Sequence, residues 1–325
     1  MIRGAVVRGA VARRALLGIA VAGVFIAPAG ARAQRAVTVR ADNDAFNFWQ
    51  YPWDRPDEEY TSGVRLTLDY AGTARWARRL ERAVGGCPAE APGCATHRWV
   101  FGQNIYTAVR PRRMPDPTPG GRPDAGVLWL ASTSRAERGT LMLEAGWTVG
   151  VTGALSLAEP IQKFFHDLAP HFNRPITWGD EVPTEPVVAV SVDAERRHRY
   201  GAVDVRPRAG ASLGNLLTEV RGGVGARLGA PVGVWSAPSR RPRVWLEGDA
   251  LLRGVARNEV LHGALFRASA RVAARPLVTE LQAGVRLRWR SIEAAFLAHQ
   301  TSAEYVSRGA PHVWSTLEAT WFRAR

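Results

Sequence analysis

Three groups of residues could do chemistry. His166 follows Gln162 by one helical turn and Glu159 by two, so the three share one stripe if the segment is helical. An imidazole changes charge near physiological pH and can take the proton of an attacking water. Asn43 and Asp44 put an amide and a carboxylate side by side. Hard oxygens of this kind suit a hard cation, and a bound cation can stabilise a developing oxyanion as a Lewis acid. Cys87 and Cys94, the only cysteines, bracket a Pro/Gly-rich hexapeptide. In an oxidising compartment they are expected to form a loop-closing disulfide, since a metal site needs more ligands and only His97 is near. Each group also has a plainer reading. A histidine on a surface helix is usually a solvated side chain, Asn-Asp before a loop commonly caps a turn, and Tyr60-Thr61 is ordinary strand chemistry.

The elements that must position these residues follow from the compartment. Arg3, Arg8, Arg13 and Arg14 give a basic start, Ala15 to Ala29 is an apolar run, and Ala31-Arg32-Ala33 has the small-x-small form of a cleavage site. Residues 1–33 therefore read as a signal peptide and 34–325 as one exported domain. An anchoring helix is the alternative, but the run is short and ends in Pro28-Ala29-Gly30. Beyond Ala33 no stretch approaches the ~18 uninterrupted apolar residues of a spanning helix. If the mature chain enters a membrane it must do so as a closed barrel, because every backbone polar group in lipid needs an internal partner.

The dominant period is two. Over Leu281 to Arg290, Leu, Ala, Val, Leu and Trp fall on one face, with Gln, Gly and three Arg on the other. In a soluble sandwich those arginines would be buried at high cost; a barrel with a wet interior accepts them. The same alternation supports twelve strands at 36–45, 59–71, 98–107, 126–135, 140–150, 186–196, 201–213, 216–229, 243–253, 277–290, 291–303 and 312–322. The expected fold is an all-β, twelve-stranded antiparallel transmembrane β-barrel with both ends on the periplasmic side. Most long connections then fall on the outer side; 72–97 and 230–242 are the exceptions. Ser156 to Leu168 breaks the pattern. Ser156 with Glu159 has capping-box spacing, and Leu157, Ile161, Phe164, Phe165 and Leu168 recur at helical spacing. A short amphipathic helix is expected there, in an outer loop beside the barrel rim.

The net charge is +14, and Lys163 is the only lysine. Such arginine excess suits phosphate-bearing lipid or a charged lumen; nucleic acid is excluded as a partner by export. Arg65, Arg110 and Arg112 are the candidates for rim contacts to such phosphates.

Several runs, in order, resemble the lipid A 3′-O-deacylase family of outer-membrane enzymes. They are Asn43-Asp44; Asp57-Glu58-Glu59-Tyr60-Thr61-Ser62-Gly63; Phe101-Gly102-Gln103-Asn104-Ile105-Tyr106-Thr107; Val149-Gly150 through Ala158-Glu159-Pro160-Ile161-Gln162 to His166; and Trp178 with Glu185-Pro186. The resemblance covers essentially the whole mature chain. It implies a bacterial outer-membrane barrel that hydrolyses the ester holding the 3′-acyloxyacyl group of lipid A, with calcium dependence and a site beside a loop helix at the outer end. By resemblance the functional positions are Asn43, Asp44, Thr61, Gln162 and His166. His166 is the expected general base, Asn43 and Asp44 hold the cation or oxyanion, and Thr61 and Gln162 support the site. The implied partners are lipopolysaccharide and outer-membrane lipids, and a monomer is expected. Ala45, Asp124 and Val127 depart from the family pattern, and Asp167, Asp180 and Glu181 are the candidates for a carboxylate following the histidine. Two other readings stand: a non-enzymatic pore or structural barrel, and a phospholipase-type barrel using Ser62 or Ser156 as nucleophile.

Overall fold

Residues that alternate between grease and charge can satisfy both only in a sheet with one face to lipid and the other to a polar interior. The computed structural model, which describes residues 34–47, 59–87, 94–109, 120–168, 177–229 and 239–323, has this form. The export segment expected over residues 1–33 lies outside the described residues.

The strands are β1 (Gln34–Asn43), β2 (Glu59–Ala71), β3 (Ala95–Thr107), β4 (Ala125–Arg138), β5 (Leu141–Thr152), β6 (Pro186–Arg196), β7 (His198–Tyr200), β8 (Val203–Gly214), β9 (Leu217–Leu228), β10 (Ser239–Asn258), β11 (Leu277–Arg290), β12 (Ile292–Thr301) and β13 (His312–Phe322). Pairing is antiparallel throughout, and β1 joins β13. β6 joins β8 directly, which closes the ring. The three-residue β7 pairs only with the start of β8, so twelve strands form the wall. β10 is longer than its sequence pattern implies, at 20 residues. Both barrel termini lie at the same end as the tight turns at Gly139, Gly201 and Ser291, the periplasmic end; most of the long connections crown the other, with those after β2 and β9 the exceptions.

The two faces divide as expected. Val188, Val190, Val192, Leu281, Val285, Leu287 and Trp289 point outward and are exposed, as lipid-facing residues must be. Inside, the arginines are held by carboxylates rather than by trapped water alone. Arg286 donates to Glu247 at 2.8 Å, to Glu293 at 3.1 Å and to Glu318 at 2.6 Å. Arg221 is bidentate to Asp193, and Arg253 donates to Glu219. A guanidinium left unpaired here would cost several kcal/mol, so the lumen is cross-linked rather than open. Its outer mouth is filled by an apolar cluster that includes Val127, Val182, Val187, Val260, Leu261 and Tyr305.

Among the described residues there are three helices: α1 (Arg78–Ala83), α2 (Ala158–Leu168) and α3 (Glu259–His262). α2 is the helix expected from Ser156 onward, but it starts two residues later. Gly153–Ser156 forms a 3-10 turn, Leu157 is left-handed at φ 59°, and Ser156 Oγ accepts from the Ala158 N–H at 3.3 Å. Glu159 pairs with Lys163 instead of reaching back, so the capping box does not form.

Candidate active site

Near the outer rim the lipid-facing side of β1 to β3 changes from apolar to polar. Val39 and Val64 are exposed to lipid; beyond them β1 ends on Asn43, opposite Ser62 of β2 and Ser315 of β13. Pleating alone would send Asn43 and Asp44 to opposite faces. Here the pleat stops: Asp44–Phe46 winds into a 3-10 turn, and Asn43 Oδ1 accepts from the Ala45 N–H at 2.7 Å. The turn is tied to β13, with Asn47 donating to the Val313 carbonyl and accepting from Ser315 Oγ, each at 2.6 Å. Asn43 therefore does cap a turn, and the same bond fixes its amide at the wall. Asp44 is buried within the turn.

Thr61 is the extra residue of a β-bulge. Tyr60 pairs with Tyr106 and Ser62 with Ile105, so Thr61 has no partner of its own in the ladder. Its hydroxyl bonds the Thr107 hydroxyl across the strands. Tyr60 points inward, donating to Asp42 at 2.7 Å.

α2 docks on the outward face of β3 and β4. Lipid tails are as apolar as Ile or Phe, so the hydrophobic effect gives little to a helix packed on this side; close fit and hydrogen bonds must hold it. Gly126, outward on β4 opposite Ile105, supplies the fit: a Cβ there would overlap the Ser156 hydroxyl and the Ala158 methyl. Gln103 Nε2 donates to the Ser156 carbonyl at 2.6 Å, and Trp178 Nε1 donates to Gln162 Oε1 at 2.7 Å. Ile105, Ala158 and Trp178 pack together with Ile161 beside them. The helix is thereby inverted relative to one on a soluble protein. Gln162 is buried against the wall, while Leu157, Phe164 and Phe165 of the expected apolar stripe face outward. His166, half-buried, lies one turn beyond Gln162 on the same stripe.

Asp124 braces this arrangement. Its carboxylate accepts from the Ala108 N–H at 2.9 Å and the Gly179 N–H at 3.2 Å, and its carbonyl accepts from the Val182 N–H at 2.9 Å. The end of β3 is so tied to the segment carrying Trp178. Glu181 is bridged to Asp124, and burial, with the nearby charges of Glu159 and Asp124, pushes its carboxyl above the usual range. Asp167 and Asp180 are exposed.

Asn43, Thr61 and the helix bearing Gln162 and His166 thus occupy one end and one side of the barrel, with β1 and β3 about 10 Å apart at ordinary strand spacing. Asn43 and Asp44 are oxygen donors of the kind calcium takes, but two residues cannot supply its six to eight ligands, roughly. Among the described residues no three His, Cys, Asp or Glu side chains gather into a metal-binding group. Arg65 is not a rim cation: it turns into the lumen, 3.5 Å from Asp42 and over the Trp129 ring. Arg110 and Arg112, and Asp57 and Glu58 of the motif, lie outside the described residues. Ser156 is fully buried and engaged at the helix start, which removes it as a nucleophile. Thr107 and Trp178 stand in the family-like runs and Asp124 departs from them, but their roles, as partner of Thr61, partner of Gln162 and brace, are not readable from sequence. Trp178 lies sixteen residues beyond the amide it holds, so nothing local pairs the two.

A family model described as outer membrane protein LpxR matches residues 16–323. Among solved structures, LpxR from Salmonella typhimurium superposes with a TM-score of 0.70 at 16% identity, covering 89% of this chain and 100% of that one. The β-domain of the Bordetella autotransporter Brka, at 12% identity, covers 90% of this chain and 100% of its own but reaches only 0.46. No curated protein sequence matches.

Proposed function

The chain belongs to the LpxR outer membrane protein family, and from that premise we propose that it is a lipid A 3′-O-deacylase of the outer leaflet. The observation that carries this reading is the location of Asn43, Thr61, Gln162 and His166. Asn43 ends β1 and Thr61 lies in the bulge of the neighbouring β2, both at the outer end of the barrel, while Gln162 and His166 share a stripe of the helix docked on β3 and β4, whose exposed residues include Phe164 and Phe165. A lipid lying beside the wall would bring its ester to these residues without leaving the membrane.

In the proposed reaction His166 takes a proton from water as the water oxygen bonds to the ester carbonyl carbon. The tetrahedral adduct collapses, the bond to the sugar oxygen breaks, and that oxygen recovers the proton. The products are a free acyloxyacyl acid and a 3′-hydroxyl. Asn43 and Asp44 would hold calcium, completed by backbone, water and substrate oxygens. When bound, calcium would supply Lewis-acid stabilisation of the developing oxyanion. Gln162, anchored by Trp178, keeps the polar stripe of α2 against the wall, and Thr61 with Thr107 forms its hydroxyl-lined floor.

Purified folded barrel, incubated with lipid A in detergent micelles and calcium, is expected to release the acyloxyacyl acid. Intact lipid A after prolonged incubation with folded protein would contradict the reading.

A further inference from the structure

A second helix lies against the outside of the barrel, at the end away from the candidate site. The connection between β2 and β3 folds back on the wall instead of hanging free. The Ala74 N–H donates to Ser134 Oγ at 3.0 Å, and His97 Nδ1 lies 3.2 Å from the same oxygen. His97 and Ser134 are an outward-facing cross-strand pair, next to the outward pair of Trp99 and Ser132. Both are nonetheless buried, because this segment covers them. Thr73 donates to Glu81, Arg138 donates to the Gly85 carbonyl, and the Cys87–Cys94 disulfide closes the segment just ahead of β3. α1 is therefore pinned at both ends.

What the pinned segment leaves exposed is Arg75, Arg78, Arg79 and Arg82, spaced to share one stripe, with Trp76 beside them. None of the four guanidinium groups forms an ion pair with a described residue, and the one acid of the helix, Glu81, is occupied by Thr73. Their depth is marked by aromatic side chains. Trp289 and Trp321 are exposed outward, each one residue from the periplasmic end of its strand. Such a belt sits at the headgroup level of a bilayer.

We propose that α1 is a docking surface for the headgroups of anionic phospholipids in the periplasmic leaflet. The planar guanidinium groups take phosphate oxygens in bidentate contacts, and Trp76 seats the segment at the boundary between headgroups and chains. The disulfide and the Ser134 contact keep the arginines at that depth. This surface is independent of the chemistry assigned to the outer rim.

The test uses the folded barrel in nanodiscs of mixed phosphatidylcholine and phosphatidylglycerol, with lipids retained on release counted by native mass spectrometry. Wild type is expected to retain phosphatidylglycerol in preference. R78Q, R79Q and R82Q are each expected to lower the anionic-to-neutral ratio by about two- to fivefold, and the triple variant to abolish the preference. R267Q, on an exposed outer loop, is expected to change nothing. Equal retention of the two lipids by wild type, or an unchanged preference in the single variants, would overturn the proposal. Heat-modifiable migration on gels verifies that each variant is folded.

Discussion

β4 carries a helix on its lipid side at each end, and the two helices offer the membrane opposite surfaces. α2, at the outer rim, turns Gln162 toward the wall and exposes Phe164 and Phe165, the latter 53% exposed. At the periplasmic end, α1 and the 3-10 turn Arg75–Ala77 that leads into it turn Ala77 inward and expose Arg75, Arg78, Arg79 and Arg82. Both are seated on small outward residues of β4, Gly126 under α2 and Ser134 under α1. Arginines turned to the headgroups cost nothing to solvate. An amide turned inward, between a helix and a lipid-facing wall, is costly unless it is bonded, and Trp178 bonds it. Polar groups kept at that price on the buried side of a membrane-facing helix belong to a site.

The largest break in this contrast is expected from Gly126→Leu. The added side chain lifts α2 from the wall, and deacylation should fall by about a thousandfold as His166 loses its position. Phosphatidylglycerol retention at α1 should stay as in wild type, and limited proteolysis should now cut within residues 158–168. Chelation with EDTA comes next, lowering deacylation by about a hundredfold, reversibly with calcium, again with no change at α1. Trp178→Phe keeps the ring but removes the donor to Gln162; a fall of about five- to tenfold in kcat/KM is expected from one lost hydrogen bond. The smallest effect belongs to the other helix. Arg79→Gln should leave deacylation within about twofold of wild type while lowering anionic lipid retention.

Much of the barrel was legible because lipid outside and charge inside enforce a period of two on every wall strand. Strands 59–71, 186–196, 277–290 and 312–322 match the expected bounds. The inversion of α2 was not legible: Leu157, Ile161, Phe164 and Phe165 read as a stripe seeking a core, and nothing local says that the greasy surroundings are the membrane. α1 escaped for a different reason. Its sequence, RRLERA, has no apolar stripe, and its seat is made by a backbone N–H and a serine one strand hairpin away. At the candidate site, the residue types of Asn43, Thr61, Gln162 and His166 were visible, with their roles resting on family resemblance. Their gathering on one wall depended on a bulge at Thr61 and a pleat ending at Asn43, both set by tertiary pairing. Asp124, noticed only as a departure from a pattern, proves to tie β3 to the Trp178 segment.

The most direct test of the account is lipid A mass spectrometry on cells with intact lipid A expressing either wild type or His166→Ala. Wild type is expected to convert lipid A to a species lighter by the 3′-acyloxyacyl group, and His166→Ala, still a heat-modifiable barrel, to leave it unchanged. Equal conversion by the two proteins would contradict the account.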